Sequence, residues 1–191
     1  LTVSSIRLFI LASLEEQGPM HGHALRLLAE QEHVESWADV TVGAIYGAIK
    51  RLAAEELIEA VRTEREGNYP ERQVFGITVA GRVSLTAIRR EALETIVLRP
   101  DPVDLALARL GTDDLDELQH ILENRAAELR ARMEAEELHQ QHIAHFLSVT
   151  EKHVIRHDLH RLRGELAWHE ELLGALPEIL NDEKSRKAPP Q

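Results

Sequence analysis

Apolar positions come in short, differently spaced groups in the first half of the chain and in long helical runs in the second. Ile6, Phe9, Ile10 and Leu14 share one side of a predicted first helix, which Ser4 or Ser5 can cap and Glu16-Gln17-Gly18-Pro19 ends. The opening LTVSSIRLFILASLEEQG has one Arg followed by apolar residues, as a signal peptide does. Its helical spacing and the lack of a small-residue cleavage site favour a helix. A second helix is predicted from about Gly22 through Leu25 and Leu28 to about Glu32, then a polar loop with Trp37. Thr41 can cap a third helix reaching about Glu56. Residues 57–63 are rich in strand formers, 66–70 form a turn, and 73–77 return with Phe75 and Ile77 on one face. Thr78 can cap a long helix through Val83, Ile88 and Leu93 to about Leu98.

Pro100-Asp101-Pro102 interrupts any helix. Beyond it, Thr112 with Asp113 and Asp114 suits a helix start, and Leu115, Leu118, Leu122, Leu129 and Met133 mark one face of a helix reaching about Leu147. A second long helix is expected from about Thr150 to Leu176. On it Ile155, Leu159, Leu162, Leu166, His169, Leu173 and Leu176 follow alternating steps of four and three, a heptad seam with one polar position. An intramolecular hairpin would bury this seam. So would a homodimer, which the helix lengths and the scarcity of other apolar partners favour, with His169 fixing register.

The third helix carries the chemistry. At about 100° per residue, Val42, Ile45, Ile49 and Leu52 share one narrow arc, while Gly43, Gly47, Lys50, Arg51 and Ala54 lie opposite. No acidic residue occurs between Val40 and Ala54, although Asp39, Glu55 and Glu56 flank the segment. The exposed arc is small at its start and cationic further on, as a helix entering a major groove requires. Two helical glycines cost roughly 1 kcal/mol each relative to Ala, and close approach to another surface would offset that. A core helix with an incidental solvated face is the plainer alternative. Tyr46, at the margin of the buried arc, could reach a phosphate or simply pack with a wet tip. Arg65, Asn68, Tyr69 and Arg72 would project from the hairpin as a wing, although Glu64, Glu66 and Glu71 interleave with the arginines.

The order predicts a mainly α protein with a small β-hairpin: an N-terminal winged helix-turn-helix (1–98), a C-terminal helical dimerisation or effector domain (99–180) and a flexible tail (181–191). The 191 residues suffice for two such cores, and 4% aromatics leave those cores to Leu, Ile, Val and Ala. The absence of Cys excludes disulfides and thiolate chemistry. No apolar run reaches the roughly 18 residues of a membrane span, so a cytoplasmic protein without membrane contact is expected. Net charge is −11, but residues 1–90 carry 10 Lys/Arg against 12 Asp/Glu and residues 91–191 carry 12 against 21. A polyanion-binding surface must therefore be local and in the first half.

Three motifs in order resemble the PadR-type transcriptional regulators: Gly18-Pro19-Met20-His21-Gly22-His23-Ala24-Leu25; Gly43-Ala44-Ile45-Tyr46-Gly47-Ala48-Ile49-Lys50-Arg51-Leu52, followed by Leu57-Ile58; and Arg72-Gln73-Val74-Phe75-Gly76-Ile77-Thr78-Val79-Ala80-Gly81. Gly47 stands where the family usually has Pro, Glu56 where it has Gly, and Phe75 where it has Tyr. Over the second half the resemblance rests on length and helicity, which match the subgroup with a helical dimerisation domain. It implies a ligand-responsive repressor that binds double-stranded DNA as a homodimer on an inverted repeat, through Thr41, Gly43, Ala44, Tyr46, Gly47, Lys50, Arg51, Arg65, Asn68, Tyr69 and Arg72. It also implies a flat aromatic or phenolic effector in an apolar space between domains and subunits, for which Phe9, Trp37, Phe146 and Trp168 are the candidates.

Eight of the eleven histidines lie beyond residue 119, with His153, His157 and His160 on one face and His139, His142 and His145 stepping by three. His pairs at i, i+4 can chelate a transition metal, but the spacing supplies no third ligand and His-Glu-x-x-His is absent. A solvated histidine-rich face is expected, with no metal and no cofactor; a metal-responsive regulator is the alternative. No phosphate-binding glycine loop or Gly-x-Ser-x-Gly elbow supports an enzyme. A helical adaptor using the winged helix to bind protein is the rival function, and the net charge is its best argument.

Overall fold

A left-handed Gly18 (φ 82°) ends the first helix, α1 (Ser5–Gln17), in the computed structural model, which describes residues 4–65, 71–98, 100–111 and 113–187. Ser4 occupies the cap position, but its side chain makes no capping bond. Two residues, Met20–His21, form β1, which is absent from the sequence-based expectation. α2 (Gly22–Gln31) follows directly, capped by His21, whose Nδ1 accepts from the Ala24 N–H at 2.9 Å. The expected loop at Trp37 is a helical turn, α3 (Val34–Trp37), entered through left-handed His33 (φ 49°).

A 3-10 turn (Val42–Ala44) leads into α4 (Ile45–Ala54). Thr41 precedes that turn but does not cap it with its side chain; Glu35 does, its Oε1 accepting from the Val42 N–H at 2.6 Å. β2 (Ile58–Glu64) and β3 (Arg72–Ile77) form the hairpin, with a register irregularity between Ala60 and Arg62. The expected turn at 66–70 lies outside the described residues. β1 pairs antiparallel with the other edge of β3, giving the strand order β1-β3-β2. Only a few residues long, β1 has no alternation to reveal it; its pairing with β3 defines it.

Thr78 caps α5 (Val79–Glu94) as predicted, accepting from the Gly81 N–H at 2.9 Å. The helix stops at Glu94 rather than Leu98, and Val83 and Leu93 are exposed; Gly81 and Leu85 are its buried positions, with Ile88 packed against the core. That core is one cluster of Ile10, Leu11, Leu14, Leu25, Ala29, Ile45, Ile49, Leu52, Ile58 and Leu85, with their smaller neighbours. It belongs to the first of two compact units, Leu1–Leu98 and Arg99–Gln191.

The second unit starts with α6 (Pro102–Leu107), capped by Asp101 and carrying Pro102 in its first turn, where a missing N–H is harmless. Thr112 lies outside the described residues; Asp113–Leu115 is a 3-10 turn. α7 (Leu118–Ile143) and α8 (Val149–Lys187) pack as an antiparallel pair, since Arg130 meets Glu170 and Arg163 meets Glu137. Residues 181–187, expected in a flexible tail, continue α8.

The heptad seam of α8 finds its partners within the chain. Leu159, Leu166, His169 and Leu176 are buried, and Leu176 and Leu173 join Leu118 and Leu122 in one cluster. Ile155, Leu162 and Leu173 are half-buried. His169 is 0% exposed and accepts at Nε2 from Arg125 Nε at 3.0 Å, because a guanidinium can only donate. Its Nδ1, 2.8 Å from the Glu165 carbonyl, then carries the hydrogen. The polar seam position thus meets α7 of its own chain. A heptad pattern requires a facing helix but does not say whose.

Candidate nucleic-acid interface

The walls of the site are set by α2, α4 and the hairpin. On α4, Ile45, Ala48, Ile49 and Leu52 are buried and Val42 is half-buried before it. Thr41, Gly43, Ala44, Lys50 and Arg51 are exposed, and Gly47 is half-exposed. The predicted arcs are therefore those of the fold, with Ala48 added to the buried one.

The glycines separate into two kinds. A Cβ on Gly22 would stand 3.0 Å from Tyr46 Cε1 and 3.2 Å from Ile49 Cδ1, so this glycine lets α2 and α4 approach. The Tyr46 ring lies over it and stays 47% exposed. A Cβ on Gly43 would meet nothing within 4 Å, and one on Gly47 only the tip of Arg51 at 3.4 Å. Nothing inside the fold requires glycine at either position, and both lie on the face opposite the core.

The acidic neighbours of α4 are held. Glu35 is bonded to the Val42 N–H, and Glu55 is gripped by Arg7 of α1 through two bonds of 2.7 and 2.6 Å. These bonds and the neighbouring charge hold the Glu55 carboxyl below its ordinary range and raise Arg7 above its own. Lys50 and Arg51 make no ion pair with any described residue. Arg7, Gly22 and Glu35 are the residues that sequence reasoning passed over. Gly22 sits within a quoted motif, whereas Arg7 and Glu55, 48 positions apart, leave no sequence signal.

α4 passes into the wing through a tight C-terminal turn. Leu57 N–H bonds to Leu52 O at 2.9 Å and Glu56 N–H to Ala53 O at 3.0 Å, a Schellman motif with Glu56 left-handed (φ 58°). Thr78 Oγ1 lies 2.8 Å from the Glu56 carbonyl, tying α5 to this turn. In the wing Arg62 pairs with Glu64 at 2.7 Å, Arg65 is exposed, and half-buried Arg72 stands opposite Glu64 in the register. Asn68 and Tyr69 lie outside the described residues.

Two of the four effector candidates lie in each unit. Phe9 packs against the core of the first unit, and Trp37 is half-exposed with its Nε1 donating to the Glu32 carbonyl at 3.0 Å. Phe146, 80% exposed, lies against His145 with ring centroids 3.8 Å apart. Half-buried Trp168 meets His169 edge-on. Nineteen positions of α8 separate Val149, near Phe146, from Trp168, on the order of 28 Å of helix. Among the described residues, no three His, Asp or Glu side chains are grouped to hold a metal ion. No helix there is long and apolar enough to cross a membrane.

A helix-turn-helix with a three-stranded wing and a cationic, carboxylate-free outer helix face defines the winged-helix DNA-binding regulators. The first unit, Leu1–Leu98, has that fold. Within that fold, residues 10–87 match the family described as "Transcriptional regulator PadR-like family". No curated protein sequence matches it. Among solved structures, PadR of Bacillus subtilis in complex with operator DNA is similar over 92% of this chain and 99% of its own, at 18% identity and a TM-score of 0.66. The same protein in complex with p-coumaric acid gives 16% identity, 91% and 99% coverage and 0.66. A PadR-like transcriptional regulator from Bacillus cereus gives 18%, 89% and 94%, and 0.59. At these identities the likeness is one of fold.

Proposed function

We propose that this regulator is a repressor that binds an inverted-repeat operator as a homodimer and is released by a small aromatic ligand. The observation that carries the DNA contact is the outer face of α4: Gly43 and Gly47 open to approach, Lys50 and Arg51 beyond them, and the flanking carboxylates tied elsewhere. In this reading Thr41, Ala44 and Tyr46 line the approach, and Arg65, Asn68, Tyr69 and Arg72 follow the phosphate backbone beside the groove. Two copies related by a two-fold axis would present two such helices about one helical turn apart. The second copy would meet the α8 seam of Ile155, Leu159, Leu162, Leu166, His169, Leu173 and Leu176, of which Ile155, Leu162 and Leu173 stay partly exposed in the single chain. The complex of Bacillus subtilis PadR with p-coumaric acid supports the choice of a phenolic effector, with Trp168 and Phe146 as separate candidate contacts.

The test is duplex binding measured against salt. Lys50→Ala with Arg51→Ala should weaken binding and reduce the slope of log K against log salt by roughly two units, one for each phosphate no longer neutralised. Unchanged binding by the folded double variant would remove α4 from the interface. Wild-type protein with no salt-dependent duplex binding would favour the adaptor reading. Phenolic acids, p-coumaric acid among them, should release the duplex and change tryptophan fluorescence together, a response that Trp168→Phe should blunt. Release without that coupling would place the ligand elsewhere.

A further inference from the structure

Glu55 stands four residues after Arg51 on α4, the spacing at which a helix pairs opposite charges. That pair does not form. Arg7, in the first turn of α1, takes the carboxylate instead, its Nη1 donating to Oε1 at 2.7 Å and its Nη2 to Oε2 at 2.6 Å. Both oxygens are engaged by a fork that a point charge could not reproduce. Arg51 turns the other way. Its Nη1 lies 3.4 Å from where a Cβ on Gly47 would stand, so its guanidinium folds back over Gly47 toward the start of α4.

The Glu55 carboxyl is held below its ordinary range, chiefly by the Arg7 hydrogen bonds, with the charges of Arg7 and then Arg51 adding to the effect and desolvation opposing it. Glu55 is therefore ionised, and once released it would compete for Arg51. A half-exposed ion pair of this kind adds little to stability. Its consequence is positional: it decides where the Glu55 carboxylate, four residues from Arg51, points.

We propose that Arg7 is a positioning residue for duplex binding: by gripping Glu55 it leaves Arg51 over Gly47, on the face of α4 offered to a phosphate backbone. The inference rests on the reading of α4 as the groove helix. It extends that reading to a residue outside the helix-turn-helix, and it makes the missing side chain at Gly47 part of the same device.

The experiment uses the full chain and a random-sequence duplex, with binding followed by fluorescence anisotropy between about 50 and 200 mM salt. Arg7→Gln should weaken binding severalfold and lower the salt slope by about one unit, equivalent to one phosphate left unneutralised. Glu55→Gln should bind as wild type or slightly tighter. Arg7→Gln combined with Glu55→Gln lacks the ion pair but also lacks the stray carboxylate, and should recover the wild-type slope. Arg51→Gln added to Arg7→Gln should remove nothing further. Arg7→Lys, which keeps the charge but not the fork, should fall between, and thermal melting of each variant tracks the fold. A wild-type slope in folded Arg7→Gln, or a double variant that stays weak, overturns the proposal. A wild-type protein that ignores the duplex overturns the DNA reading itself, whereas wild-type binding with an indifferent Arg7→Gln removes only the role of Arg7.

Discussion

At Glu56 the backbone is left-handed (φ 58°), a conformation that costs an ordinary residue about 1 kcal/mol or more and glycine nothing. The resemblance singled out this position as one where glycine is usual, and the Schellman turn at the end of α4 supplies the reason. Glu56→Gly should therefore raise stability by about 1 kcal/mol, read as a higher midpoint in chemical unfolding. Gly47 makes the opposite case. Nothing but the Arg51 tip, 3.4 Å away, meets a Cβ there, so Gly47→Ala should stabilise the helix by up to about 1 kcal/mol while weakening duplex binding. A variant stabilised without loss of binding would show that the groove does not come so close. Gly81 is different again: its Cβ would stand 2.1 Å from the Leu57 carbonyl, a backbone atom that cannot yield. Gly81→Ala should cost about 2–3 kcal/mol by melting.

At the scale of elements, helix starts depend on carboxylates and hydroxyls. Asp101 caps α6 through Val103 N–H at 2.9 Å and bonds Arg125, which in turn holds His169. Ser148 and Glu151 form a reciprocal box at the start of α8, with bonds of 2.7 and 3.2 Å. The Asp101 carboxyl lies below its ordinary 3.8, first because of the Val103 N–H and then because of Arg125; Glu151 lies below 4.5 because of its bonds to Ser148. Groups depressed in the folded state contribute fully above their ordinary values, and that contribution is lost as pH falls through the folded ones. The second unit should thus lose helicity on acidification below about pH 4. Asp101→Asn with Glu151→Gln should be less stable at neutral pH but should show a flatter dependence below it, as followed by circular dichroism. An equally steep loss in that variant would point to other carboxylates.

Over the whole molecule, most of the acidity and the cationic helix face lie in different units: residues 99–191 hold 19 of the 33 Asp/Glu, and α4 holds none. Net charge is thus a poor guide to what one face can bind. The buried seam carries its own prediction. Because Leu166 is buried by packing within the chain, Leu166→Asp should lower the melting temperature of the second unit. A variant that melts like wild type but sediments at half the mass would show the seam facing a second copy.

The sequence alone determined whatever repeats locally. Spacings of three and four marked the faces of α1, α4 and α8, the Thr78 cap preceded α5 by one residue, and three motifs named the fold of residues 10–87. Such features depend on neighbours within one or two turns, which the chain places together by geometry alone. Tertiary structure decided the partners. It paired a two-residue β1 with β3, gave Glu55 to Arg7 rather than Arg51, capped Val42 with Glu35 rather than Thr41, and closed the α8 seam on α7. An amphipathic pattern records that a face is buried, because transfer from water is non-directional; which surface covers it depends on contacts between residues far apart in the chain.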